Sequence, residues 1–99
     1  MAYAKGTIDT SVKGNASGGL SLTNETIVTL DIILTDGTHN NSRCELQHSP
    51  DNGVNWFSSG DSTNGTGTVT EVLSTSMIRV HVLKGEGSDA QATYFLTAK

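Results

Sequence analysis

Apolar and polar residues alternate along most of this chain, which is the period-two pattern of β-strands with one buried face. The clearest run covers residues 26–35, and its buried face would consist of Val28, Leu30, Ile32 and Leu34. Ile27 and Ile33 interrupt the polar residues on the other face, so we expect this strand to be central and partly covered on both sides. No window shows the i, i+3, i+4, i+7 spacing of an amphipathic helix.

Turn residues divide the alternating runs into about seven or eight short strands. The expected strands lie at 4–12, 20–22, 26–35, 43–48, 54–57, 68–73, 77–83 and 90–97. We expect 60–67 to be a polar loop, and 68–73 to form a hairpin with 77–83, whose core stripe is Ile78, Val80 and Val82. Short strands with frequent turns predict an all-β fold, an antiparallel β-sandwich that is Ig-like or jelly-roll-like.

The chain length of 99 residues fits one domain, so we expect 1–99 to be a single β-sandwich. Residues 1–19 contain a polar strand followed by the loop Lys13–Gly19, and we interpret them as a flexible N-terminal arm or an edge strand. There is no internal repeat of the length that builds propellers or solenoids.

The composition narrows the function to binding. A hydrophobic content of 34% implies a thin core, and such a core is often completed by a partner or by oligomer contacts. The net charge of −4 has no basic stripe, which argues against nucleic acid and against anionic membranes. The single Cys44 cannot form an intramolecular disulfide, so we expect synthesis in a reducing cytosol and a buried, unreactive thiol.

The residues that catalysis needs are present but not arranged in any local signature. His39, His48 and His81 lie on a loop and on two different strands. A nucleophile, a histidine base and an orienting acid must be brought together, and no motif here predicts such a set. We therefore expect no catalytic residues and no enzymatic activity.

Four aspartates, Asp36, Asp51, Asp61 and Asp89, lie in polar loops where calcium ligands are often found. None of them has EF-hand spacing. Aspartate also stabilises turns through its side-chain oxygens, and this is the role we expect here. The sequence predicts no metal site and no cofactor.

The most specific local pattern is a turn-and-return segment that contains Ser49, Asp51, Gly53 and Trp56. Asp51 can accept hydrogen bonds from turn amides, Gly53 can supply a positive φ, and Trp56 can cap the hairpin with its apolar ring. The pattern resembles the Asp box, the S-x-D-x-G-x-x-W hairpin motif of sialidases and other propellers. In those proteins the motif is structural, and the resemblance implies a structural hairpin here.

The longer segment from Glu45 to Phe57 also resembles the central hairpin of small β-sandwich virion proteins of tailed bacteriophages, which are of similar length and lack disulfides. The resemblance implies a virion structural protein, of which a capsid decoration or cement protein that stabilises the head shell is the leading interpretation. The implied partners are the major capsid protein or another virion protein and further copies of the chain, commonly in trimers. The implied location is the virion, after synthesis in the host cytoplasm. Candidate subunit contacts are Ile27, Ile33, Val69 and Phe95.

Two alternatives stay open. One is a carbohydrate- or cell-surface-binding β-sandwich module, which would need exposed aromatic rings on one face. The five aromatic residues of the Phe, Trp and Tyr types, Tyr3, Trp56, Phe57, Tyr94 and Phe95, are the available candidates. The other alternative is a tail or neck component of the virion.

Overall fold

A computed structural model of the chain describes residues 1–36, 42–84 and 90–99. Within these ranges the chain forms strands and turns without a helix. The strands are β1 (Ala2–Asp9), β2 (Leu20–Ser21), β3 (Ile27–Asp36), β4 (Arg43–Ser49), β5 (Phe57–Asn64), β6 (Gly67–Val72), β7 (Met77–Lys84) and β8 (Gln91–Ala98). Two of the expected turns fall outside the described residues. The turn after Asp36, which contains His39, lies wholly outside them, and the turn at 84–89, which contains Asp89, lies mostly outside them.

The strands form two four-stranded sheets with the orders β1-β8-β3-β6 and β2-β7-β4-β5. The chain folds as one long hairpin, in which the first strand pairs with the last and so on inward. The antiparallel pairs are β1·β8, β2·β7, β3·β6 and β4·β5, and successive pairs belong alternately to the first and the second sheet. This rolled-up arrangement is the strand order of a jelly roll. The predicted β-sandwich is confirmed, and of its two forms the chain adopts the jelly roll.

The core lies between the sheets and is built from the inward half of each alternating strand. Its fully or nearly fully buried side chains are Ile8, Val28, Leu30, Ile32, Cys44, Leu46, Val69, Ile78, Val80, Val82, Ala92, Leu96 and Ala98. Burial raises the pKa of the Cys44 thiol to about 11, so the thiol stays protonated and unreactive at neutral pH, as the sequence predicted.

Val69 requires a correction, because the sequence had grouped it with residues available for subunit contact. Val69 is 4% exposed and belongs to the core. It pairs with Leu30 of β3, so both side chains point inward. The burial pattern of β6, in which Val69 is buried between the exposed Thr68 and Thr70, shows the same orientation.

The polar segment 60–67 is not a loop as expected, since β5 continues from Phe57 through Asn64. β5 lies at the edge of its sheet and pairs with β4, which satisfies its backbone on one side without requiring apolar side chains. Gly60, with φ of 104°, lies where the β4–β5 register shifts. The positive φ at this irregularity is one that glycine adopts without strain.

The hairpin expected between 68–73 and 77–83 is also wrong. β6 pairs with β3 in the first sheet, whereas β7 pairs with β4 in the second sheet. The connection crosses the sandwich and is attached to both sheets, because the Leu73 amide donates to the Thr26 carbonyl and the Ser76 amide donates to the Ser49 carbonyl. The alternation pattern of two strands does not reveal whether they pair with each other.

The N-terminal segment forms an ordered edge of the sandwich. β1 pairs with β8 along its whole length and has no neighbour on its other side in the sheet as described. The following loop runs beside β7, where the Gly14 amide donates to the Val82 carbonyl and the Ser17 amide to the Val80 carbonyl. Of the two interpretations of residues 1–19, the structure has the edge strand for Ala2–Asp9.

Candidate interaction surfaces

The Ser49–Trp56 segment forms a turn whose polar side chains bond to one another. The Ser49 hydroxyl donates to Asp51 Oδ1 at 2.7 Å and accepts the Gly53 amide at 2.7 Å. Asp51 also accepts the Asn55 amide at 2.8 Å and the Asn55 side-chain amide at 2.6 Å. Gly53 has φ of 92°, the positive value that the sequence led us to expect. These contacts are those of a structural hairpin.

The hydrogen bonds to Asp51 predict an acid-sensitive turn. They lower the pKa of the Asp51 carboxyl from 3.8 to about 2, chiefly through the Asn55 amide and the Ser49 hydroxyl. A lowered pKa stabilises the fold above the ordinary value, and that contribution is lost as the pH falls from about 4 to about 2. In urea titrations at several pH values, Asp51→Asn should be less stable than the wild type at neutral pH, and the difference should shrink in that window. A difference that does not change with pH would contradict this role.

Trp56 is held against the outside of the second sheet. The Arg79 guanidinium lies over its ring, 4.2 Å from the ring centroid. A Cβ atom at Gly19 would approach the ring to 3.3 Å, and one at Gly53 would approach it to 3.7 Å. The indole is therefore enclosed by Arg79 and by the backbone at two glycines, which leaves it half-buried. This is a poor arrangement for a ring that must stack on a sugar.

A polar network extends from Arg79 across the outer face of the second sheet. Arg79 Nε donates to Gln47 Oε1 at 2.9 Å, and Gln47 Nε2 donates to Glu45 Oε2 at 3.2 Å. His81 Nδ1 lies 2.8 Å from the same Glu45 oxygen. Although they point away from the core, Glu45 is only 4% exposed and Gln47 only 9%. The side chains of this outer face thus satisfy one another.

Each of the two described histidines has a side-chain hydrogen-bond partner at Nδ1, which is Thr75 for His48 and Glu45 for His81. His48 Nδ1 lies 3.0 Å from the Thr75 hydroxyl, and that hydroxyl donates to the Ser49 carbonyl at 2.9 Å. Because the hydroxyl proton is already used, His48 must donate to Thr75 rather than accept its proton. His48 lies beside Phe57, with the ring centroids 6.0 Å apart.

The expected absence of a metal site remains a prediction. In the ranges that the structure describes, no group of three or more His, Cys, Asp or Glu side chains is placed to hold an ion. The Asp51 carboxylate is bonded within its turn. The Asp61 carboxyl lies beside that of Glu71 across the β5–β6 edge, and their proximity raises the pKa of Glu71. The side chains of Asp36 and Asp89 are not among those described.

The outer face of the first sheet differs from the polar network, because threonine, isoleucine and aromatic side chains dominate it. Its residues, which we name the open face, are Tyr3, Lys5, Thr7, Asp9, Ile27, Thr29, Asp31, Ile33, Thr68, Thr70, Val72, Gln91, Thr93, Phe95 and Thr97. β3 is central in this sheet, as predicted, but its outer face is not covered by any described part of the chain. Ile27 is 45% exposed and Ile33 is 47% exposed.

The strand registers order the open face into rows. In the middle row Lys5 lies beside Phe95, Phe95 beside Asp31, and Asp31 beside Thr68. Lys5 Nζ is 5.3 Å from the centre of the Phe95 ring, and the Thr68 hydroxyl donates to Asp31 Oδ1 at 2.6 Å. A shallow depression of about 310 Å³ lies between Phe95 and Ile33. Three of the four predicted contact residues, Ile27, Ile33 and Phe95, therefore share this face.

A broad, shallow surface of this kind suits a protein partner better than a small molecule, which binds in a cleft that covers most of its surface. No helix in the described parts of the chain combines the length and apolar character required to cross a membrane. Comparison of the chain with family models, with curated proteins and with solved structures found no match.

Proposed function

We propose that this chain is a structural protein of a bacteriophage virion, a decoration or cement protein that binds and stabilises the capsid shell, and that it is not an enzyme. The observation that carries the proposal is the open face of the first sheet. A decoration protein acts through the interface area that it buries against neighbouring subunits of the particle. The open face is the surface that we assign to such a contact.

The chemistry of the open face supports this assignment. Subunit interfaces are apolar and aromatic at the centre and poor in charge. Phe95 lies at the centre of the face, Ile33 and Ile27 are exposed on β3, and the threonines contribute methyl groups beside hydroxyls. By contrast, the outer face of the second sheet has its polar groups bonded internally, so a partner would have to break contacts there.

Two further observations support the virion assignment. Residues 45–57 resemble the central hairpin of phage β-sandwich virion proteins, and Ser49, Asp51 and Gly53 form the turn that this resemblance implies. The jelly-roll strand order occurs in viral capsid domains, although it also occurs in lectins and enzymes. Fold alone does not determine function, so these observations add to the open face and do not replace it.

The carbohydrate-binding alternative has less support. Its main candidate, Trp56, has Arg79 stacked on its ring. Tyr3 and Phe57 are exposed, but they belong to different sheets and cannot form one platform. A position in the tail or neck would use the same open face, so it is an outcome that the binding experiment distinguishes.

The test is binding of the purified chain to expanded phage heads prepared without it, followed by co-sedimentation. We expect saturable binding and greater resistance of the decorated heads to heat. Ile33→Asp should weaken the binding at least about tenfold, because it places a charge in an apolar contact.

The matched control is Val54→Asp, which adds the same charge at a residue that is 77% exposed and lies in the hairpin turn. This variant should bind like the wild type. Absence of saturable binding to heads would contradict the decoration role, and binding to tails or necks would assign the chain to that part of the virion instead.

A further inference from the structure

The middle row of the open face has opposite charges on the two sides of an aromatic ring. Lys5 of β1 and Asp31 of β3 each lie next to Phe95 of β8, one on either side. They are the charged residues of this row, whereas Asp9 lies on the same face at the end of β1, beside Gln91. Neighbouring strands in a sheet are about 4.8 Å apart. Along the row, the Lys5 cation, the Phe95 ring and the Asp31 anion therefore follow one another at equal intervals.

This order is self-complementary about a two-fold axis. If the axis lies parallel to β8 and passes over Phe95, rotation places Lys5 of one copy opposite Asp31 of the other, and the reverse contact forms at the same time. Phe95 then meets its own copy at the centre, and Thr7 of each copy faces Ile33 of the other. We propose that the open face is occupied by a second copy of this chain in a two-fold, face-to-face dimer.

Other two-fold arrangements of the same face are worse. An axis in the plane of the face but perpendicular to the strands would place Lys5 opposite Lys5 and Asp31 opposite Asp31. An axis shifted to the middle of the four strands would press Phe95 against Asp31 and leave a carboxylate desolvated beside an apolar ring. The axis over β8 pairs both charges of the middle row and places the Phe95 ring against its own copy.

The size of the contact predicts a weak dimer. Three strands of eight residues measure roughly 14 Å by 26 Å, or about 700 Å² over both copies, which is below the area of stable interfaces and in the range of weak, transient contacts. We expect a dissociation constant on the order of 10–100 µM in free solution. On a particle surface the local concentration is much higher, so a weak contact suffices to join neighbouring copies.

In this dimer, the subunit that occupies the open face is a second copy of the chain. The inference rests on the proposed function, which assigns the open face to assembly. The dimer differs from the trimer expected from the resemblance. When two copies meet through a self-complementary face, each buries the face of the other, and no part of it is left for a third copy. The neighbouring subunit that the open face contacts on the particle is then another copy of this chain, and Ile33→Asp weakens head binding by breaking that contact between copies. The dimer itself is measured without heads, so the two ideas are tested separately.

The experiment is sedimentation velocity across a concentration range that spans the expected dissociation constant. Lys5→Glu places two like-charged contacts in the dimer, as does Asp31→Lys, so each variant alone should dimerise at least about tenfold more weakly. An equimolar mixture of the two variants should form a heterodimer, because the two introduced side chains then face each other with opposite charges. The unchanged Lys5 and the unchanged Asp31 form the other contact of the same pair. The double variant Lys5→Glu/Asp31→Lys should also dimerise.

Lys13→Glu is the control, since it reverses a charge on an exposed loop outside the open face and should dimerise like the wild type. Circular dichroism checks that every variant is folded. A wild-type monomer throughout the range, a trimer, or a mixture no more associated than its two components would overturn the dimer. A monomer that still binds heads through Ile33 would overturn the dimer alone, whereas a dimer that binds no heads would overturn the decoration role alone.

Discussion

Replacing Val69 with aspartate should unfold the domain at room temperature or leave it barely stable. Val69 is 4% exposed and packs in the core between the sheets, so the new carboxylate would be desolvated without a partner. Such a change costs more than about 4 kcal/mol, and small domains have only about 5–15 kcal/mol in total. Urea titration followed by circular dichroism measures the loss directly.

Ile33→Asp is the matched comparison for Val69→Asp. Ile33 is 47% exposed on the open face, so the same side chain would remain hydrated there. We expect a loss of less than about 1 kcal/mol, which comes mainly from replacing a β-branched residue in a strand. Similar losses at the two positions would contradict the assignment of Val69 to the core and of Ile33 to the surface.

Trp56→Ala should destabilise the domain by about 2–4 kcal/mol, somewhat less than the cost of removing a fully buried tryptophan. The substitution removes the ring beneath Arg79 and uncovers the backbone at Gly19 and Gly53. Full burial would place the loss at about 3–5 kcal/mol, and Trp56 is only half-buried. Thermal unfolding followed by circular dichroism provides the measurement, since the substitution removes the only tryptophan that fluorescence could follow.

A double-mutant cycle separates the cation–π contact from simple packing. Arg79→Ala alone, Trp56→Ala alone and the two together should show a coupling of about 0.5–2 kcal/mol. Arg79→Lys should retain less of the coupling than the wild type, because a lysine ammonium cannot stack as a plane or keep the fork that reaches Gln47. Strict additivity of the two losses would mean that Arg79 does not stack on the ring in solution.

Much of the sandwich could be predicted from alternation, because burial of one face imposes a period of two. The stripes of β3 and β7 are examples, with Val28 and Leu30 on one strand and Val80 and Val82 on the other. Alternation reports only which residues share a face. It does not identify the partner strand, and this is why β6 and β7, which follow each other in the chain, were paired although they lie in different sheets.

Other features could not be predicted from the sequence, because they depend on backbone pairing and on side-chain contacts between strands. The polar residues of β5 carry no apolar stripe, yet their backbone groups pair with β4. Alternation with Cys44 and Leu46 places Glu45 and Gln47 on the outward face of β4, but the contacts with Arg79 and His81 that bury them come from another strand. The turn at Asp51 could be predicted in detail because all of its contacts are local.

The place of β8 in its sheet has a consequence for the order of folding. β8 follows the other seven strands in the chain but lies between β1 and β3, and β1 has no other described strand beside it. On the ribosome, β1 must therefore wait unpaired until residues 91–98 emerge, and joining it to them closes a loop of most of the chain. Formation of the first sheet should be a late and slow step, and the open face should not exist on a nascent chain.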